Sequence, residues 1–380
     1  MRVLILSCNT GEGHNSCGKA LSEMFAKQNI PCRMDDAFRF LSPSISRMVT
    51  VGFTFMYRHL PGVFRFGYQY SEQHPRLFEG DSLVYRFLSS GSENLYHFIL
   101  REGFDTVICT HVFSALIVTD VMHRHNRFLR TYFVATDYTC SPSCAQSDLD
   151  AYFIPDAALA CEFIRCGISS EKLIPTGIPI REDFLHANSK EETKVRFGLH
   201  PYAPHLLIMG GSMGCGPMKY LVREISKAMP KDCAISVICG TNRKLRAQLD
   251  RDYAVDHRVV IRGFVEDVSA MMDSADLFLT KPGGISVTEA AQKRLPMVFA
   301  NAVAGCENYN MRFFVRKGVA VTAETPKELA CLTATVLADR GLLSNMVENY
   351  QRVAANTAAE TIAQEVIRRG GRQGERMDAF

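Results

Sequence analysis

Three times along the chain a short apolar run leads into a glycine-rich turn and then into a helical pattern, and this repeated unit restricts the fold more than any other feature. Val3-Leu4-Ile5-Leu6 runs into a loop from Cys8 to His14 and an amphipathic helix from Asn15 to Lys27. Leu206-Leu207-Ile208-Met209 runs into Gly210-Gly211-Ser212-Met213-Gly214-Cys215-Gly216 and a helix opened by Pro217. Leu277-Phe278-Leu279 runs into Thr280-Lys281-Pro282-Gly283-Gly284 and a helix carrying Ser286 and Glu289. Glycines let a backbone approach phosphate oxygens, and the free amides of a helix start point at an anion, so each unit suits a diphosphate. Ser286 and Glu289 also fit an S-x-x-E capping box, which alone would make the third unit a well-capped helix and nothing more. Units of this kind in both halves predict two nucleotide-binding-type α/β domains in tandem.

Further strands are expected at Val107-Ile108-Cys109, Tyr132-Phe133-Val134-Ala135, Tyr152-Phe153-Ile154, Ile235-Ser236-Val237-Ile238, Val259-Val260-Ile261 and Met297-Val298-Phe299, with helices between them. Parallel sheets need such crossovers. The polar stretch from Arg181 to His200 marks the domain boundary, giving a first domain over 1–185, a second over 186–365 and a frayed tail over 366–380. Helices from Leu342 onward have the option of packing back across that boundary.

A net charge of only +3 gives no electrostatic footprint for nucleic acid. No apolar stretch approaches the ~18 to 20 residues that span a bilayer, and the opening run is too short for a signal-peptide core, so a cytoplasmic protein is expected. Its thirteen cysteines then read as reduced core thiols. Cys140, Cys144, Cys161 and Cys166 cluster in sequence, but with the spacing of no common zinc site, and no metal is expected.

One segment departs from the pattern. From Ala37 to Ser71 there is no acidic residue, while Arg39, Arg47, Arg58 and Arg65 alternate with apolar side chains including Phe53, Phe55, Leu60, Val63, Phe64 and Phe66. That composition suits a segment that enters the headgroup region beside anionic lipid. It equally suits a helical pair buried in the first domain, with snorkelling arginines.

Taken together, Gly11-Glu12-Gly13-His14, Thr110-His111-Val112-Phe113-Ser114-Ala115, Ala135-Thr136-Asp137-Tyr138, Gly210-Gly211-Ser212, Gly263-Phe264, Lys281-Pro282-Gly283-Gly284 with Glu289-Ala290, and Gly305-Cys306-Glu307 with Asn310 resemble one group of enzymes in order and spacing. These are the monogalactosyldiacylglycerol synthases and the bacterial processive diacylglycerol glucosyltransferases, and the resemblance spans roughly residues 1 to 365. It implies the GT-B fold, two Rossmann-like domains facing each other across a cleft. It also implies transfer of glucose or galactose, with inversion, from a UDP-sugar to the hydroxyl of diacylglycerol. Tyr57-Arg58-His59-Leu60-Pro61 falls at the family's membrane-facing, acceptor-side segment, so an anionic membrane surface on the inner face of the cell membrane becomes the expected partner, with Arg58, Phe64 and Arg65 at the contact.

The resemblance also distributes roles. His14, with an ordinary pKa of about 6.5, is the expected base for the acceptor hydroxyl, and Asp137 is its rival; the alternative for His14 is a helix cap or a phosphate contact. Gly13 and His111 fall on the acceptor side, His111 with a structural role as its alternative. On the donor side Glu289 would accept the ribose hydroxyls, Glu307 and Asn310 would hold the sugar, and Gly211, Ser212, Gly283 and Gly284 would cradle the diphosphate, with Phe264 and Pro282 beside them. A helix N-terminus can stabilise the leaving group, so no cofactor or metal is implied beyond the UDP-sugar substrate. Asp148-Leu149-Asp150 and Asp250-Arg251-Asp252 spell D-x-D but read as surface pairs. Two departures stand out: Cys306 occupies the family's usual glutamine position, and Ser141 a position where many members have histidine. Two other outcomes stay open, a related enzyme with a lipid-linked peptidoglycan-precursor acceptor and a non-catalytic UDP-sugar or lipid-binding paralogue.

Overall fold

The computed structural model describes residues 1–8, 11–41, 52, 60–74, 78, 82–125, 129–214, 216–300, 305–353 and 357–377. The chain forms two compact units, Met1–Arg181 with Asn356–Phe380, and Glu182–Ala355.

The first unit holds a six-stranded sheet of β1 (Val3–Ser7), β2 (Cys32–Asp36), β3 (Thr106–Cys109), β4 (Arg130–Val134), β5 (Ala151–Ile154) and β6 (Leu173–Pro175) in the order β2-β1-β3-β4-β5-β6. The second holds β7 (His205–Met209), β8 (Ala234–Ile238), β9 (Val259–Arg262), β10 (Leu277–Thr280), β11 (Met297–Phe299) and β12 (Ala320–Thr322) in the order β12-β11-β10-β7-β8-β9. Neighbouring strands are parallel in both sheets. Helices cover both faces of a parallel sheet, which is why central strands such as Val3-Leu4-Ile5-Leu6 and Leu206-Leu207-Ile208 are apolar without alternation and wholly buried.

In each sheet the chain lays down strands in one direction, then returns to the other side of the first strand. The reversal lies between β1 and β3 in the first unit and between β7 and β10 in the second. Loops leaving the carboxyl ends of the two strands at such a point diverge and leave a crevice. Each of the three glycine turns follows one of these strands.

Several expectations are corrected. The first helix spans Glu12–Lys27, so His14 lies in its opening turn instead of in a loop, with the Glu12 carboxylate at the positive helix end. The expected tail is helical as far as Met377, as part of the helix Ala358–Met377, whose Ala358, Ile362 and Val366 are buried. This helix belongs to the first unit and packs on Glu12–Lys27, whereas Arg340–Asn349 stays with the second. Within the acid-free segment, Phe38, Phe40 and Leu41 are domain core and Arg39 pairs with Asp35 at 3.1 Å. Arg58 and the side chains of Phe64 and Arg65 lie outside the described residues.

Candidate active site

In the first unit the loops after β1, β3 and β4 converge on His14. Its Nδ1 lies 2.9 Å from the Thr110 carbonyl oxygen and 2.9 Å from Thr136 Oγ1. A carbonyl only accepts, so Nδ1 carries the proton and Nε2 keeps its lone pair. Burial lowers the pKa of His14 below its usual 6.5, against the opposing pull of the nearby Asp137 carboxylate and the Thr110 hydrogen bond. The imidazole is thereby neutral near pH 7 and stands beside an anion that would stabilise its protonated form.

The His111 ring meets the His14 ring edge-on, with centroids 4.5 Å apart. Burial first, and His14 second, hold the His111 pKa well below its usual value. Its Nδ1 accepts the Phe113 amide at 3.1 Å at the start of the helix Val112–His125, which is a capping function. The Thr110 hydroxyl is buried there with no hydrogen-bond partner among the described residues.

In the second unit the loops after β7 and β10 lie side by side, tied where Thr280 Oγ1 donates to the Met209 carbonyl at 2.9 Å. Gly211 has a left-handed backbone (φ 74°), which favours glycine, and the end of the Lys281 side chain lies against it, 2.6 Å from where a Cβ would stand. Gly214 (φ 55°) is restricted more strictly, because a Cβ would meet the backbone carbonyl oxygen of Cys239 at 2.3 Å. A small pocket opens beside both loops, lined by Met209, Gly210, Gly216, Thr280 and Lys281 among others.

The helix after β10 runs Gly284–Gln292 and is capped at Gly283 with no side-chain bond. Ser286 therefore sits inside its first turn, and the S-x-x-E capping box does not form: the Pro282-Gly283 turn starts the helix three residues earlier than that box requires. Glu289 is buried at 7% exposure and Glu307 at 4%. Glu307 Oε1 accepts from Lys281 Nζ at 2.7 Å. Asn310 is fully buried and its Nδ2 donates to the Pro282 carbonyl at 2.9 Å, so its amide braces the loop from behind.

The structure thus gathers Gly211, Ser212, Pro282, Gly283, Gly284, Glu289, Glu307 and Asn310 at the carboxyl ends of adjacent strands. Phe264 stands apart, after the edge strand β9, with its ring 62% exposed. Sequence reasoning assigned no role to Lys281, Thr110 or Thr136. Lys281 was visible as a cation inside a glycine turn, but the two threonines carry no signal of their own. Asp148 pairs with Lys172 at 2.6 Å and Asp252 with Lys219 at 2.9 Å, so neither D-x-D holds a pair of uncommitted carboxylates. Among the described residues no cluster of three or more His, Cys, Asp or Glu is arranged to hold a metal, and no helix is long and apolar enough to cross a membrane.

Residues 14–180 match the family model for monogalactosyldiacylglycerol (MGDG) synthase, and residues 218–353 match that for glycosyl transferases group 1. The chain is 25% identical to the processive diacylglycerol beta-glucosyltransferase of Bacillus licheniformis, over 96% of this chain and 94% of that one. Its fold is similar to that of Acinetobacter baumannii MurG, with a TM-score of 0.66 at 15% identity over 97% and 99% of the two chains. It is also similar to that of the UDP-GlcNAc 2-epimerase of Neisseria meningitidis, solved with UDP-GlcNAc, with a TM-score of 0.64 at 13% identity over 97% and 100%.

Proposed function

We propose, for a GT-B glycosyltransferase built from an MGDG-synthase domain and a group 1 glycosyl transferase domain, that it moves a hexose, glucose or galactose, from a UDP-sugar to diacylglycerol with inversion. The observation that carries this reading is the orientation of His14: a neutral imidazole with Nδ1–H committed to Thr110 offers Nε2 to an acceptor hydroxyl. Full-length similarity to a diacylglycerol glucosyltransferase supports that hydroxyl being a diacylglycerol's.

His14 Nε2 takes the proton as the acceptor oxygen attacks the anomeric carbon, and the Asp137 carboxylate stabilises the resulting imidazolium. On the donor side the amides opening Gly284–Gln292, together with Gly211 and Ser212, receive the diphosphate, and Lys281 adds a positive charge beside it. Glu289 accepts the ribose hydroxyls and Glu307 a sugar hydroxyl, while Asn310 positions the loop. These groups supply the electrostatic stabilisation of departing UDP, so the reaction proceeds without a divalent ion.

The protein works at the inner face of the membrane, attached peripherally. Supporting this, the helix Pro61–Gln73 turns Val63, Phe66 and Tyr70 outward at 55%, 69% and 44% exposure, an apolar stripe at helical spacing. The test is incubation with UDP-glucose or UDP-galactose and diacylglycerol in anionic vesicles, with lipid products read by mass spectrometry. Hexosyl-diacylglycerol is expected. Transfer only to a lipid-linked muropeptide, or UDP-sugar binding without turnover, would overturn the proposal.

A further inference from the structure

Lys281 reaches from the loop after β10 to two other elements of the donor side. The end of its side chain lies against Gly211 in the loop after β7, and its Nζ donates to Glu307 Oε1 at 2.7 Å. Glu307 stands in the first turn of the helix Gly305–Arg316, which follows β11. The two side chains are 20% and 6% exposed, so the pair lies mostly out of water. Asn310, one turn further along that helix, holds the Pro282 carbonyl at 2.9 Å, so a neutral hydrogen bond already ties the helix start to the glycine turn. The ion pair adds something other than net stability, because the desolvation of two charges offsets most of their attraction. What it adds is direction.

We infer that Lys281 is the positioning residue for the hexose: by holding one oxygen of the Glu307 carboxylate it fixes the direction in which that carboxylate meets a sugar hydroxyl, and it joins this contact to the loop that receives the diphosphate. This role rests on the donor-side assignment proposed above and adds to it, since Lys281 acts on the sugar through Glu307 as well as on the diphosphate through its charge. An ammonium aimed at one carboxylate oxygen restricts rotation of the Glu307 side chain. It also keeps a charged acceptor in place, and a hydrogen bond to a charged group is roughly twice as strong as one between neutral groups. Without Lys281 the Glu307 charge is uncompensated at a buried position, where a carboxylate turns away or is neutralised, and either outcome weakens its hold on a hydroxyl. UDP carries no hexose and senses Lys281 through charge alone.

The test measures by calorimetry the Kd of UDP, UDP-glucose and UDP-galactose for the full-length parent, Lys281→Met, Glu307→Gln, the double variant and Lys281→Arg, each checked for folding by circular dichroism. The quantity read is the Kd of the UDP-hexose divided by that of UDP, for whichever hexose the parent binds more tightly. This ratio should rise about tenfold in Lys281→Met and in Glu307→Gln, the difference between a charged and a neutral hydrogen bond. It should also rise about tenfold in the double variant, where two independent contacts would give about a hundredfold. Lys281→Arg, which keeps a cation beside the carboxylate, should restore the parent ratio. Lys281→Gln, shorter and uncharged, takes the place of Lys281→Met if that variant does not fold, with the same expectation. Equal weakening of UDP and UDP-hexose on loss of the lysine, or a further rise in the double variant, would overturn the role of Lys281 and leave the donor-side reading standing. Failure of the parent to bind UDP would overturn both. No lipid enters the measurement, so the identity of the acceptor does not affect it.

Discussion

His14 presents Nδ1 to the carbonyl oxygen of Thr110 at 2.9 Å, and this one contact decides which ring nitrogen is available as a base. His14→Ala should lower kcat by about 10² to 10⁴, the usual contribution of a positioned base, while UDP affinity measured by calorimetry stays unchanged. Wild-type turnover in that variant would remove His14 from the mechanism.

The same geometry predicts a pH profile. Burial holds His14 below its usual 6.5, so kcat/KM should stay flat through pH 6.5 and decline only on the acid side of it. Asp137 opposes that depression, so Asp137→Asn should move the acid limb to lower pH and leave residual turnover. If Asp137 were itself the base, the same substitution would abolish turnover.

Stability should share this dependence. His14 and His111 both have folded-state pKa values below the unfolded 6.5, so as pH falls the unfolded chain takes up protons first and stability drops below about pH 6.5. Urea melts at pH 7 and 5.5 should differ, and His111→Asn should shrink the difference. An unchanged difference in that variant would mean that burial of His111 is not its source.

Glu289 does not cap its helix, so Glu289→Gln should leave the helix start intact. It should nevertheless weaken UDP affinity by roughly 10- to 100-fold, as expected for the loss of charge-assisted hydrogen bonds of about 1.5–3 kcal/mol. Lys281→Ala should weaken UDP binding too, but with a stability loss on the order of 1–3 kcal/mol, because it removes a cation partner from the buried Glu307. Turnover in both parent and variants should survive EDTA; a strict requirement for added manganese would count against a helix terminus and Lys281 as the stabilising charges.

At the membrane, replacing Arg58 and Arg65 with Glu should abolish most co-sedimentation with anionic vesicles, each basic residue contributing on the order of 1 kcal/mol, and parent binding should weaken with salt. Phe66→Ser should weaken binding independently of salt, since its exposed ring acts through apolar burial. Unaltered binding by the arginine variant would return the segment to ordinary surface.

What the sequence by itself determined is what local spacing can encode. Apolar runs such as Leu206–Met209, the glycine turns after them and the helical periods beyond are set by neighbours two to four residues apart, and they were enough for two parallel α/β units and for most of the residues at the strand ends. Tertiary structure alone decided the rest, because it depends on which strands pair. Only the adjacency of β7 and β10 lays Lys281 across Gly211, and only the convergence of loops after β1, β3 and β4 gives His14 its partners Thr110 and Thr136, 96 and 122 residues away. The brace from Asn310 to Pro282 and the return of Ala358–Met377 to the first unit belong to the same class. Each is a contact between distant segments, favourable only once the packed core has brought their backbones together.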